Sequence, residues 1–100
     1  MNAEPKYLDE AFGQVCDEIT DLLVKKHHDY GKGNILEIEE LGIAIRITEK
    51  LSRLKHLLSR EEEPSNESLE DSWKDIAVYA VIALLYRKGL FQKLDMSQQT

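Results

Sequence analysis

Apolar residues recur along this chain at spacings of three and four, and the first group predicts a long helix. Its members are Leu8, Phe12, Val15, Ile19, Leu22 and Leu23. This spacing places them on one side of a helix with 3.6 residues per turn. We expect the helix to end near His28, because the segment HDYGKGN that follows has two glycines and an asparagine, which are typical of a turn.

A second apolar stripe follows the turn and predicts a helix that ends near Arg60. Its members are Ile43, Ile47, Leu51, Leu54 and Leu58. We expect this helix to start among Glu37, Glu39 and Glu40, since negative charge stabilises a helix N-terminus. The segment EEEPSNE is then predicted to be a polar loop containing proline.

The third helix is predicted to run from an N-cap at Ser65 or Asn66 to about Lys88, with Gly89 as its stop. Its second half, IAVYAVIALLY, is apolar on nearly every side, and such a helix must be surrounded by protein. Two other helices from the same short chain can hardly cover it. We therefore expect one all-α domain, residues 1–100, whose three helices form a bundle that is completed by homo-oligomerisation, most simply as a dimer. LFQKLDM is predicted to add a short terminal helix, and SQQT to be disordered.

Composition limits the classes of partner. The chain has 13 basic and 19 acidic residues and a net charge of −6, which argues against non-specific binding to double-stranded nucleic acid. Cys16 is the one cysteine, so no intrachain disulfide can form, as is usual in a reducing compartment. The N-terminus lacks a signal-peptide pattern, and no apolar run reaches the roughly 20 residues that a membrane span needs. We expect a cytoplasmic protein with no membrane partner.

Charged residues repeat at helical spacing beside two of the apolar stripes. They are Arg46, Glu49, Lys50 and Arg53 on the second helix, and Asp71 and Asp75, continued by Tyr79, on the third. Arg and Lys side chains can bind phosphate oxygens. Mg²⁺ takes oxygen ligands and commonly binds through one or two carboxylates together with phosphates, so Glu49, Asp71 and Asp75 are candidate metal ligands. The alternative is a set of salt bridges between the helices, with Asp75 paired to Arg46 or Arg53.

The turn after the first helix carries a third candidate group. Tyr30 could stack on a base, as could Tyr79, and Asn34 could bind a base edge or a sugar; Asp29 lies beside them. For the preceding run of Lys25, Lys26, His27 and His28 we favour an ordinary basic helix C-terminus that complements the helix dipole.

The order of these motifs resembles the phage and prophage nucleotide modification associated domain 1 family. HDYG with a following asparagine comes first, then R-x-x-[DE]-K-x-x-R-L from Arg46 to Leu54, then E-S-x-x-D-x-x-x-D-x-x-x-Y from Glu67 to Tyr79. The resemblance covers about residues 18–88. It implies an all-α oligomer that acts on nucleotides or senses them.

The pattern is also distantly similar to the all-α nucleotide pyrophosphatases of the MazG and dimeric dUTPase kind. Those enzymes bind Mg²⁺ through E-x-x-E on one helix and E-x-x-D on the next. In this chain Glu49 matches the second glutamate and Asp75 the aspartate, whereas Arg46 and Ser72 stand at the other two positions. Asp71 would have to replace one of the missing carboxylates.

Three functions are therefore open. The first is Mg²⁺-dependent hydrolysis of a nucleoside triphosphate or a modified nucleotide, with Glu49 and Asp75 as catalytic residues. The second is a nucleotide-binding module that does not cleave its ligand, such as a phage sponge for a cyclic signalling nucleotide, which the incomplete carboxylate set favours. The third is a structural or adaptor bundle. The residues predicted to bind a nucleotide are Asp29, Tyr30, Asn34, Arg46, Lys50, Arg53 and Tyr79.

Overall fold

The computed structural model describes residues 4–60 and 66–97, and these residues form four helices and no strand. The helices are α1 (Leu8–Tyr30), α2 (Gly33–Ser59), α3 (Asn66–Arg87) and α4 (Leu90–Lys93). The predicted all-α fold is confirmed. None of the helices in the described ranges combines the length and the apolar character that a membrane crossing requires.

The junction between α1 and α2 is tighter than the sequence predicts. Gly31, at φ 68°, ends α1, and its N–H donates to the carbonyl of His27 over 2.7 Å. Helix α2 consists of two helical segments that meet at Glu39, whose φ of 59° and ψ of −169° are not helical. The longer segment, which carries the predicted apolar stripe, begins within the expected range 37–40. The sequence missed the first segment, which is helical from Gly33 and buries Ile35 in the core.

The end of α3 follows the prediction. Gly89 adopts the left-handed conformation at φ 74° and ψ 5°, and its N–H donates to the carbonyl of Tyr86. The same end is tied to α2, because Arg87 Nη1 donates to both carboxylate oxygens of Glu40, at 2.7 and 3.0 Å. This hydrogen bonding, with the attraction of opposite charges, raises the pKa of Arg87. Of the predicted loop EEEPSNE, residues 61–65 with the candidate N-cap Ser65 lie outside the described residues, and Asn66 and Glu67 already belong to α3. The last three residues of SQQT also lie outside the described residues.

The core lies between α2 and α3 and is closed at one end by α4. Its buried side chains are Ile35, Ile43, Val78, Ile82 and Phe91. The predicted stripe of α2 is only partly inside: Ile43 and Leu54 are buried, while Leu51 and Leu58 are exposed. The second half of α1 packs against this core with half-buried leucines, and no residue of α1 is fully buried.

A single copy leaves much apolar surface in solvent. Leu8 is 85% exposed, and Phe12 and Val15 on the same side of α1 are exposed as well. The chain exposes 8160 Å², whereas a folded monomer of this size exposes about 5,800 Å². Contiguous exposed apolar side chains of this kind are typical of interaction surfaces. Completion of the bundle by other copies stays a prediction.

Candidate functional site

Three helices converge on one carboxylate, that of Asp75 on α3. Its Oδ1 lies 3.2 Å from Lys26 Nζ on α1, and its Oδ2 lies 3.0 Å from Lys50 Nζ on α2. The Asp75 side chain is only 22% exposed, so desolvation would be costly without such partners. The alternative of salt bridges between the helices is therefore confirmed for Asp75, but its partners are Lys26 and Lys50 and not the expected Arg46 or Arg53.

A polar cavity of about 350 Å³ opens beside Asp75 between α2 and α3. Its lining consists of Glu49, Lys50 and Arg53 from α2, and Asp71, Ser72 and Asp75 from α3. On each helix the three residues stand at positions i, i+1 and i+4, and this spacing turns them toward one another. The cavity therefore brings together five residues of the two charged stripes, whereas Arg46 and Tyr79 do not line it.

A second, smaller cavity of about 110 Å³ shares Asp75 with the first and is largely aromatic and aliphatic. Tyr30, Val78, Tyr79 and Phe91 are among its lining residues, with Asn34, His27 and Lys26 as polar groups. The ring of Tyr79 lies 6.0 Å from Lys50 Nζ, within the range of a weak cation–π contact. Asp75, Lys50 and Tyr79 thus connect a charged cavity to an apolar one.

Two of the predicted residues stand apart from both cavities. Arg46 lines neither, but its Nη2 donates to Asn34 Oδ1 over 3.3 Å and so orients the amide at the edge of the apolar cavity. Asp29 lines neither cavity; its carboxylate is half exposed and lies 3.7 Å from His28 Nδ1. The structure does not bring Asp29 to the site.

The sequence did not assign Lys26, His27 or Phe91 to the site. Lys26, assigned there to a basic helix end, contacts Asp75, and His27 packs edge-on against Phe91 with ring centroids 6.2 Å apart. A signal for Lys26 exists, because it follows Leu22 by four residues and Leu23 by three. A cation on the apolar side of α1 needs a buried or half-buried anion.

The carboxylates around the polar cavity do not form a metal site by themselves. Within the described parts of the chain, no three His, Cys, Asp or Glu side chains come together as a group that could hold a metal ion. Both oxygens of Asp75 are already in ion pairs with lysines. The assignment of Mg²⁺ to Glu49, Asp71 and Asp75 stays a prediction.

Residues 26–86 match the family model described as nucleotide modification associated domain 1. The chain belongs to the nucleotide modification associated domain 1 family. The match contains every lining residue of the polar cavity, and it leaves out only Leu23 and Phe91 of the apolar one. Comparison with curated proteins and with solved structures gives no match. Membership of this family indicates a nucleotide-related role.

Proposed function

We propose that this member of the nucleotide modification associated domain 1 family binds a nucleotide, or a molecule derived from one, across Asp75. The observation that carries the proposal is the joining of a charged cavity to an aromatic one at this residue. A nucleotide has the same division, with charged phosphates at one end and a flat base at the other. Ligand sites of about 300–1,000 Å³ are usual, and the polar cavity falls in that range.

The phosphate groups would lie in the polar cavity, against Lys50 and Arg53. Arg53 is exposed and presents a planar group that can donate two parallel hydrogen bonds to phosphate oxygens. Lys50 is half buried and fixed by Asp75, so it supplies a positioned positive charge. Arg53 would therefore contribute to affinity and Lys50 to the placement of the ligand.

The base would lie in the apolar cavity, between aromatic rings. Tyr79 lines its wall, and Tyr30, which is 76% exposed, stands at its edge where the ring can turn onto a base. Tyrosine offers a stacking face at a low cost in side-chain entropy. The Asn34 amide has both donors and acceptors, so it can bind a base edge. Arg46 would act through Asn34 by holding its orientation.

The charges around the polar cavity suggest that the phosphates arrive with a cation. Two cationic side chains and three carboxylates line it, so the cavity does not favour a highly negative ligand on its own. Mg²⁺ retains several of its waters and binds through few carboxylates together with phosphates. Glu49 and Asp71, the exposed carboxylates of the cavity, are the groups that would hold it or its waters. Because both oxygens of Asp75 are in ion pairs with lysines, we assign this residue a positioning role.

Binding without cleavage agrees better with this geometry than hydrolysis does. Hydrolysis of the MazG kind relies on four carboxylates, and Arg46 and Ser72 occupy two of those positions. Asp75, a predicted catalytic residue, has both oxygens in ion pairs with Lys26 and Lys50. A binding module, such as a sponge for a signalling nucleotide, needs only the two cavities.

Calorimetric titration with a panel of nucleotides tests this proposal. The panel would contain nucleoside mono- and triphosphates and cyclic mono- and dinucleotides, each with and without Mg²⁺. We expect saturable heat for at least one ligand, tighter binding of triphosphates with Mg²⁺, and intact ligand on chromatography afterwards. Release of pyrophosphate would establish the enzymatic alternative, and absence of heat with every ligand would contradict a nucleotide site.

We also propose that the protein works as a homo-oligomer. The apolar residues that one copy leaves exposed, on α1 as well as on α3, support this. The accessible surface exceeds that of a monomer of the same size by about 2,400 Å². Sedimentation at micromolar concentration tests it, and a monomer under those conditions would contradict it.

A further inference from the structure

The side of α3 that faces away from the core carries a continuous apolar stripe. It consists of Trp73, Ala77, Ala80, Val81 and Leu84, which we call the α3 back stripe. The spacings of four, three, one and three residues keep all five on one side of the helix. Trp73 is 52% and Leu84 60% exposed. Asp75, Val78 and Ile82, each two residues from a member of the stripe, point the other way, toward the site and the core.

The chain as a whole leaves more surface uncovered than one stable protein interface buries. A specific interface of standard size buries about 800 Å² on each partner, and obligate homodimers bury more. The excess surface of about 2,400 Å² estimated above exceeds what one such interface removes. The two alanines near the middle of the stripe leave room for another helix to approach closely.

Charged residues at the two ends of the stripe favour a second copy of the same helix in an antiparallel orientation. Exposed Glu70 precedes Trp73 by three residues, and exposed Lys88 follows Leu84 by four. The N–H of Lys88 still donates to the Leu84 carbonyl, so Lys88 continues the helical turn. An antiparallel copy of the same helix brings Glu70 to Lys88 at both ends, whereas a parallel copy brings like charges together.

We propose that two copies of this chain pair antiparallel through the α3 back stripe about a two-fold axis between Ala77 and Ala80. Trp73 then packs on Leu84 of the partner subunit, and Glu70 faces the partner subunit's Lys88. All three contacts fit one antiparallel register. The Trp73–Leu84 and Ala77–Ala80 pairs have the same midpoint in the sequence, and the midpoint of the Glu70–Lys88 pair differs from it by half a residue. This deepens the homo-oligomer part of the proposed function, and it leaves Asp75 and both cavities on the opposite side of α3.

Analytical ultracentrifugation of Ala80→Glu tests the position of the interface. A carboxylate at the centre of the stripe should raise the dimer dissociation constant at least 100-fold. The matched control is Ala44→Glu, the same change at an exposed alanine of α2, which should sediment as the wild type does. An oligomer that Ala80→Glu leaves unchanged would overturn this interface while keeping the homo-oligomer; a monomeric wild type would overturn both.

A charge exchange tests the antiparallel direction with surface residues that do not endanger folding. Glu70→Lys places two lysines together at each end and should weaken the dimer about 10-fold. The double variant Glu70→Lys with Lys88→Glu should recover most of that loss. If the double variant is as weak as the single one, the antiparallel pairing is wrong. Nucleotide titration of the same variants reports separately on the proposed binding site.

Discussion

Lys50 Nζ on α2 lies 3.0 Å from Asp75 Oδ2 on α3, at the point where the polar and the apolar cavity meet. Lys26 holds the other oxygen from α1, at 3.2 Å. One half-buried aspartate thereby links three helices. Its carboxylate also sets the charge at the centre of the proposed nucleotide site. We therefore expect stability and nucleotide binding to be coupled at this residue.

Replacement of Asp75 by asparagine should lower the free energy of unfolding. The amide keeps the shape of the side chain but loses both ion pairs, and the two lysines lose a charged partner. We expect a loss of about 1 kcal/mol, since both lysines are about a third exposed and water screens the pairs. Urea denaturation followed by circular dichroism measures it. Asp95→Asn, which removes the highly exposed partner of Lys32, should leave the midpoint unchanged; equal effects of the two changes would contradict the role of Asp75.

Gly42 is predicted to be intolerant of any side chain. A Cβ built on it would lie 2.3 Å from Ile38 Cβ and 2.9 Å from Ile38 Cγ1, so the backbone near the interruption of α2 would have to move. We expect Gly42→Ala to destabilise the fold by about 1–3 kcal/mol, although alanine favours a helix more than glycine does. Thermal unfolding measures this change.

The control for Gly42 is the glycine inside α1. A Cβ at Gly13 would meet no atom within 4 Å, so alanine there gains helix propensity without a clash. Gly13→Ala should stabilise the protein by up to about 1 kcal/mol. A shift of the unfolding midpoint in the same direction for both alanine variants would contradict the predicted clash between a Cβ at position 42 and Ile38.

The interruption of α2 at Glu39 should be relieved by glycine. A φ of 59° with a ψ of −169° is a combination that residues other than glycine adopt only with strain. Glu39→Gly should therefore raise the free energy of unfolding, by about 1 kcal/mol. Glu37→Gly, two residues earlier in regular helix, should lower it by a similar amount. Denaturation curves of the two variants would be expected to move apart; a loss in both would show that Glu39 is not strained.

The phosphate assignment predicts a specific loss of affinity at Arg53. Arg53→Gln removes a charge-assisted contact and should weaken binding of a nucleoside triphosphate about 10-fold, which corresponds to about 1.4 kcal/mol. Lys55→Gln removes the same charge from an α2 residue that lines neither cavity and should leave affinity unchanged. Calorimetry of both variants at one salt concentration makes the comparison. Equal weakening would mean that only net charge matters.

Local sequence signals predicted most of the fold, and tertiary contacts account for what they missed. The apolar spacing predicted α1 and α3, and Gly89 marked the end of α3, because these features depend on neighbouring residues. The break at Glu39 has no such signal, since glutamate does not favour a positive φ. The sequence therefore predicted the segment of α2 that follows Glu39 but missed the first segment from Gly33, where Ile35 is buried in the core.

In the candidate site, too, local sequence signals predicted some features and tertiary contacts determine the others. Spacing placed Lys50 and Arg53 on one side of α2, and Asp71 and Asp75 on one side of α3. That these two sides line one cavity depends on the packing of α2 on α3. The spacing of Lys26 from Leu22 and Leu23 places it on the apolar side of α1, but that its partner is Asp75 depends on how α1 packs on the core. Phe91 enters through α4 in a similar way.

An NMR titration of ¹⁵N-labelled protein with a nucleoside triphosphate and Mg²⁺ tests the proposed site most directly. The account predicts saturable shifts of backbone and side-chain signals at Asn34, Lys50, Arg53 and Tyr79, on both sides of Asp75, with the α3 back stripe unaffected. A spectrum that does not change with any nucleotide, or one whose changes lie away from both cavities, would contradict it.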